Sequence, residues 1–163
     1  MEGGFRPYFK YISEKNIQRI LNNKHVIDTP VVEGSSMLIK KDVIYKIKLI
    51  PEEYFLYFEE TDFCLNALQH GILIKVALRS KIWHRVSASV DSKAKLYYYN
   101  RNKFILVRKY GNLKDFILLI FIDIIYSTFY NLIKLKHPLK LLPLFQALID
   151  GLKCTTGKRS KLL

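Results

Sequence analysis

Residues 51–65 read Pro-Glu-Glu-Tyr-Phe-Leu-Tyr-Phe-Glu-Glu-Thr-Asp-Phe-Cys-Leu. The aromatic run at 54–58 is followed directly by three carboxylates, Glu59, Glu60 and Asp62. Neighbouring carboxylates repel one another, so such a cluster normally lies beside a helix N-terminus, a cation or a polar ligand. Apolar residues then recur at helical spacing as far as the glycine at position 71, which predicts a helix that begins at the acidic cluster.

Two interpretations of the acidic cluster are open from the residues alone. A fixed, ionised carboxylate at a cleft can accept a proton from a hydroxyl nucleophile, which would make Glu60 a catalytic base. In the alternative, the carboxylates stabilise the helix N-terminus and pair with nearby lysines. Because lysine and arginine far outnumber acids in this chain, the cluster is its best candidate for chemistry.

The remaining sequence predicts an α/β pattern of short strands between helices. Strands are expected at 31–32, 37–39, 72–78 and 82–84. Helices are expected at 14–21, 60–70, 93–110 and 139–152, with one helical turn at 41–46. Residues 155–163 form a basic tail that we expect to be mobile.

Composition indicates one domain, or part of a larger one, with an anionic partner. The chain has 163 residues, half of them hydrophobic, and a net charge of +13. Residues 91–163 hold 14 Lys and Arg against four acids, a net charge of +10. Such a region suits an anionic membrane surface or a nucleic acid. Two distant cysteines and a start without an apolar signal region predict reduced thiols in the cytoplasm.

The apolar segment 115–133 favours the membrane among these partners. Its interior carries one charge, Asp123, and lysines flank it on both sides. That charge near the middle argues against simple spanning, and an interfacial amphipathic helix fits better. A buried core helix is the alternative.

Three weaker candidate sites lie outside the acidic cluster. His84, after Trp83 at the end of a predicted strand, could bind a divalent metal or a phosphate, or could be structural. Gly34 and Ser35 could let a ligand approach the backbone, or could form an ordinary turn. Arg101 could contact a phosphate, or could lie on a solvated helix face.

Taken in order, these pieces resemble the C-terminal half of the family-2 glycosyltransferases, especially rhamnosyl- and galactofuranosyltransferase-like members. The resemblance covers roughly residues 30–110. The matching stretches are Glu33-Gly34-Ser35-Ser36-Met37-Leu38-Ile39-Lys40, Tyr54 to Leu65, Gly71, Trp83-His84 with Ser87 and Ser89, and Tyr98-Tyr99-Asn100-Arg101-Asn102.

The resemblance implies a partial GT-A-like (Rossmann-like) sheet with flanking helices, followed by C-terminal amphipathic helices. It divides the chain into an acceptor-side part, 1–110, and a membrane-associating part, 111–163. It implies that Glu60 is the catalytic base and that Glu59 and Asp62 support it or bind the acceptor. The same resemblance assigns a divalent metal, Mn or Mg, to His84.

Substrate-binding residues by the same comparison are Gly34, Ser35, Trp83 and Arg101. The implied reaction is an inverting transfer of sugar from a nucleotide-sugar donor to a lipid-linked or polysaccharide acceptor in cell-surface polysaccharide synthesis. The protein is then expected to be cytoplasmic and peripheral at the inner face of the membrane. No nucleic-acid partner is expected, because no nucleic-acid-binding motif is present.

The chain departs from the family at the donor side. Family members carry nucleotide-binding strands and an Asp-x-Asp motif upstream of the segment that Gly34 matches. Here 33 residues precede Gly34, and no Asp-x-Asp occurs in the chain. We therefore expect a fragment, a disrupted gene product, or a donor half on a separate chain, with weak or absent nucleotide-sugar binding. The alternative function is a non-catalytic remnant that binds anionic membrane surfaces.

Overall fold

The computed structural model describes residues 25–83, 91–122, 125 and 142–160, which are mostly helical. In chain order the elements are β1 (Val26–Asp28), α1 (Lys41–Ile47), a 3-10 helix (Glu52–Tyr54), α2 (Glu59–Gln69), β2 (Lys75–Ala77), α3 (Ser92–Tyr110), α4 (Leu113–Ile122) and α5 (Leu142–Leu152). These residues form two compact units. We call residues 25–50 and 60–83 the N-terminal unit, and the other described residues the C-terminal unit.

The sheet of the N-terminal unit is an antiparallel pair of short strands. Ile27 of β1 lies opposite Val76 of β2. The pairing continues past β1, where the Thr29 N–H donates to the Ile74 carbonyl at 3.0 Å. Ile27 and Val76 are 49 positions apart in sequence, so the sheet joins two segments of the unit that are distant along the chain.

A small apolar core holds α1 against α2 in the same unit. Ile47 of α1 and Phe63 and Ala67 of α2 are buried together, and Met37 packs against them. Gly71 has a φ of +72°, and the Ile72 N–H donates to the Ala67 carbonyl at 3.0 Å. Left-handed backbone favours glycine and satisfies the last helix carbonyls, so α2 ends here.

In the C-terminal unit the long helix α3 packs against α5. The Asp91 carboxylate caps α3 by accepting from the Lys93 N–H at 3.0 Å. Tyr97 and Tyr98 are buried together with Ala147 of α5. The tyrosines at 97 and 98 therefore pack against a helix of their own unit, as side chains of a core.

The helices confirm the sequence prediction better than the strands do. Observed helices match those expected at 41–46, 60–70 and 93–110, and the described part of 139–152 is α5. Strands expected at 31–32 and 37–39 are absent, and that expected at 72–78 is shortened to 75–77. A strand needs a ladder partner, which a local pattern does not reveal. The helix expected at 14–21, His84 and residues 126–141 lie outside the described residues.

The observed fold class is therefore mixed helix and strand. The two-stranded sheet does not establish the GT-A-like sheet that the resemblance implies. The functional division at residue 110 stays a prediction. Among the described helices, none is long and apolar enough to cross a bilayer.

Candidate functional site

The acidic cluster forms the first turn of α2, as the sequence predicts. Glu59 and Glu60 are the first two residues of the helix. Backbone N–H groups at a helix N-terminus are unpaired within the helix, and the helix dipole favours negative charge there. The start of a helix is therefore a favourable place for negatively charged side chains.

Gly34 and Glu60, 26 positions apart, are neighbours in the N-terminal unit. A methyl group placed on Gly34 would lie 3.6 Å from Cβ and 3.9 Å from Cδ of Glu60. Those are ordinary contact distances, so Gly34 lies next to the Glu60 side chain. Two of the predicted site residues are thus brought together, and their roles stay predictions.

Cys64 lies one helical turn beyond Glu60 and is buried. Burial raises the pKa of the Cys64 thiol above its ordinary value of 9.0, a backbone hydrogen bond at Val32 lowers it, and the Glu60 charge raises it. The thiol therefore stays neutral at physiological pH. It acts as an apolar neighbour of the Glu60 carboxylate rather than a second charge.

The two other carboxylates of the cluster have different surroundings. Asp62 is 1% exposed, which suits a supporting group better than one that meets an acceptor in solvent. Glu59 is half-buried, and its Oε2 atom is buried with no hydrogen-bond donor among the described residues. Neither observation tests the predicted roles.

The other predicted site residues differ in their surroundings. Ser35 is exposed in a turn, and the Trp83 side chain is fully exposed. His84 falls outside the described residues. Within the described ranges, no group of three His, Cys, Asp or Glu residues could hold a metal ion. We therefore derive no step through a metal, and the Mn or Mg site at His84 stays a prediction.

Arg101, predicted to bind substrate, is fully buried in the C-terminal unit. Its guanidinium donates to the Tyr54 carbonyl at 2.9 Å, to the Gly157 carbonyl at 2.7 Å and to Asn102 Oδ1 at 2.8 Å. It also lies over the Tyr98 ring at 4.9 Å. These contacts give Arg101 a structural role, and its contact with substrate stays a prediction.

Asn102 is the residue that sequence reasoning missed. It is fully buried, and its amide nitrogen reaches the carbonyls of Tyr54, Leu56 and Tyr57 at 3.0, 2.7 and 2.9 Å. The Arg101 contact fixes which way this amide points. The only sequence signal for Asn102 is its place in the Tyr-Tyr-Asn-Arg-Asn stretch. A sequence does not reveal which backbone carbonyls a side chain will contact.

The segment held by this pair has an unusual backbone. Phe55, Tyr57 and Phe58 have φ values of +62°, +67° and +73°. Bulky side chains rarely adopt such angles, at a cost of about 1–3 kcal/mol each. Ring contacts help to hold them, with Phe55 at 5.0 Å from Tyr98 and Phe58 at 5.2 Å from Tyr99. The residues that lead directly into Glu59 are therefore fixed within their unit.

The C-terminal tail also contacts residues of the C-terminal unit. The Gly157 N–H donates to the Glu53 carbonyl at 2.6 Å, and the Arg159 N–H donates to the Tyr98 hydroxyl at 2.9 Å. The Arg159 guanidinium pairs with Asp150. The prediction of a mobile tail is therefore wrong for residues 157–159.

Comparison with known proteins gives a partial relative. The chain is 28% identical to the dTDP-rhamnosyl transferase RfbF of Shigella flexneri over 89 residues. The match covers 48% of this chain and 30% of that protein, so the chain spans less than a third of its relative. No protein-family model and no solved structure matches the chain. The likeness supports a relationship to glycosyltransferases.

Proposed function

We propose that this chain is the acceptor-side part of an inverting, family-2-like glycosyltransferase of cell-surface polysaccharide synthesis. The observation that carries the proposal is the closeness of Gly34 to Glu60, where a methyl group added to Gly34 would touch the Glu60 side chain at the start of α2. Both residues belong to the ordered series that resembles the family. The partial likeness to a dTDP-rhamnosyl transferase supports the same class of reaction.

In this mechanism Glu60 is the general base. It takes the proton of an acceptor hydroxyl, and the acceptor oxygen bonds to the anomeric carbon of the donor sugar. The bond from that carbon to the nucleotide diphosphate breaks, and the diphosphate leaves with the electron pair. Attack from the face opposite the leaving group inverts the configuration of the sugar.

The other groups would assist by position. Gly34 lacks a side chain beside Glu60, which would leave room for an acceptor hydroxyl at the carboxylate. The donor would be a nucleotide sugar, and the name of the relative makes dTDP-rhamnose the first to try. The acceptor would be a lipid-linked or polysaccharide glycan at the cytoplasmic face of the membrane.

The test uses the chain joined to a donor-binding half, with dTDP-rhamnose and a lipid-linked acceptor. We expect Glu60→Gln to lower the rate of sugar transfer about 100-fold or more, as is typical for loss of a general base. Glu52→Gln is the matched control, because Glu52 is an exposed acid outside the cluster. An unchanged rate with Glu60→Gln would remove Glu60 from the base role. A joined protein that transfers no sugar would count against the transferase itself.

A further inference from the structure

Helix α5 buries small and polar side chains and exposes large apolar ones, which is the reverse of the usual pattern. Its buried face against α3 is made of small and polar residues, among them Gln146, Ala147 and Asp150. Its large apolar side chains point outward to solvent: Leu142, Phe145, Ile149 and Leu152. These four recur at spacings of three, four and three residues, so they share one face of the helix.

The inward face of α5 is fixed by specific contacts. Asp150 accepts from the Tyr97 hydroxyl at 2.6 Å and pairs with Arg159. A methyl group on Gly151 would lie 2.6 Å from Cδ2 of Phe104 in α3, so glycine is required for this close approach. The helix therefore cannot rotate to bury its apolar stripe in its own unit without losing these contacts.

Helix α4 repeats the pattern. None of its residues is buried, although it contacts α3 through Phe116, whose ring lies 6.1 Å from that of Phe104. Its exposed large apolar residues are Leu113, Ile117, Leu118, Phe121 and Ile122. They lie four, five, eight and nine positions after the first, which again places them on one face. Two helices of the same unit thus each expose an apolar stripe.

The positive charge around these stripes indicates which kind of surface they would bind. Residues 91–163 carry a net charge of +10, and exposed lysines adjoin both stripes, Lys114 beside Leu113 and Lys153 after Leu152. Two copies of such a surface repel each other, whereas an anionic bilayer attracts it. A lysine can keep its charge at the headgroups while its stem lies along apolar surface.

We propose that the outward stripes of α4 and α5, together with the lysines next to them, bind the interfacial region of an anionic lipid bilayer. The apolar side chains enter the boundary between headgroups and acyl chains, and the helices lie along the membrane surface. This assigns a specific binding surface to the chain. It does not depend on sugar transfer, because lipid binding is measured without a donor or an acceptor.

The probe is a set of vesicles of phosphatidylglycerol with phosphatidylcholine, compared with pure phosphatidylcholine vesicles. We expect the chain to co-sediment with the anionic vesicles, and to be released as salt rises. The double variants Ile117→Ser/Phe121→Ser and Phe145→Ser/Ile149→Ser are each expected to weaken the partition constant about tenfold or more. Leu38→Ser/Leu73→Ser is the matched control and should bind as the parent chain does, since both side chains are exposed outside these helices.

Insertion itself is tested with Phe145→Trp in a Trp83→Phe background, which leaves one tryptophan on the α5 stripe. A blue shift of its emission on adding anionic vesicles is expected. Circular dichroism checks that each variant stays folded, which the exposure of these residues favours. Serine variants that bind vesicles as tightly as the parent chain would overturn the proposal. A concentration-dependent dimer broken by the same variants, with lipid binding unchanged, would instead assign the stripes to a second copy.

Discussion

At the scale of single residues, Cys64 ties the candidate base to the interior of the N-terminal unit. Its thiol is buried one turn from Glu60, and burial raises its pKa above the ordinary value of 9.0, with a smaller rise from the Glu60 charge. The folded protein therefore binds the thiol proton more tightly than the unfolded chain does. The resulting stability is complete below pH 9 and is lost as pH rises towards the folded-state pKa.

We therefore expect the free energy of unfolding to fall more steeply between pH 8 and pH 10 in the parent chain than in Cys64→Ala. Unfolding in urea at several pH values measures this slope, and the other titrating groups cancel in the comparison. Cys154→Ala is the control, because that thiol is only half-buried and lies in the other unit. Parallel slopes for the parent and Cys64→Ala would mean that the buried thiol is not linked to folding.

At the scale of elements, the contact between α3 and α5 depends on one missing side chain. A methyl group on Gly151 would meet the Phe104 ring at 2.6 Å. Glycine to alanine inside a helix gains up to about 1 kcal/mol, whereas overpacking a buried contact costs about 1–3 kcal/mol. We expect the cost of the steric clash to exceed the gain in helix propensity, because Phe104 is fully buried and has little room to move.

We expect Gly151→Ala to lower the free energy of unfolding by about 1 kcal/mol, measured by urea unfolding. Gly34→Ala is the matched control, because the same methyl group meets only ordinary contacts there. Adding Phe104→Leu should recover part of the loss in the Gly151→Ala background, which a double-mutant cycle detects. A stabilised Gly151→Ala variant would show that the two helices separate more easily than the contact implies.

Local sequence signals predict some elements of this fold and miss others. Helix α2 is visible from its apolar spacing and from Gly71, because both signals are local. Strand β1 was missed, since Ile27 finds its partner in Val76 far along the chain. Asn102 was missed for a related reason, because its partners are backbone carbonyls that any residue type could supply. Local periodicity thus predicted the helix that carries Glu60, and not the contacts that hold the segment before it.

At the scale of the whole molecule, the end of the chain returns to fix the segment that precedes the acidic helix. Gly157 donates to the Glu53 carbonyl and accepts from Arg101, while Arg159 binds Tyr98. Arg101 is fully buried, so removing one of its acceptors leaves part of a buried charge unsatisfied. Residues near the end of the chain therefore stabilise a segment about a hundred positions earlier.

Ending the chain after Cys154 should lower the free energy of unfolding of the C-terminal unit by about 2–4 kcal/mol, from several lost hydrogen bonds at about 0.5–1.5 kcal/mol each. Urea unfolding followed by tyrosine fluorescence reports mainly on this unit, which holds every described tyrosine except Tyr45. Ending the chain after Ser160 is the control, because it keeps Gly157 and Arg159 in place. If both truncated chains unfold at the same urea concentration, the tail contacts contribute nothing to stability. A loss confined to the shorter chain would show that the approach to Glu59 is held from the far end of the sequence.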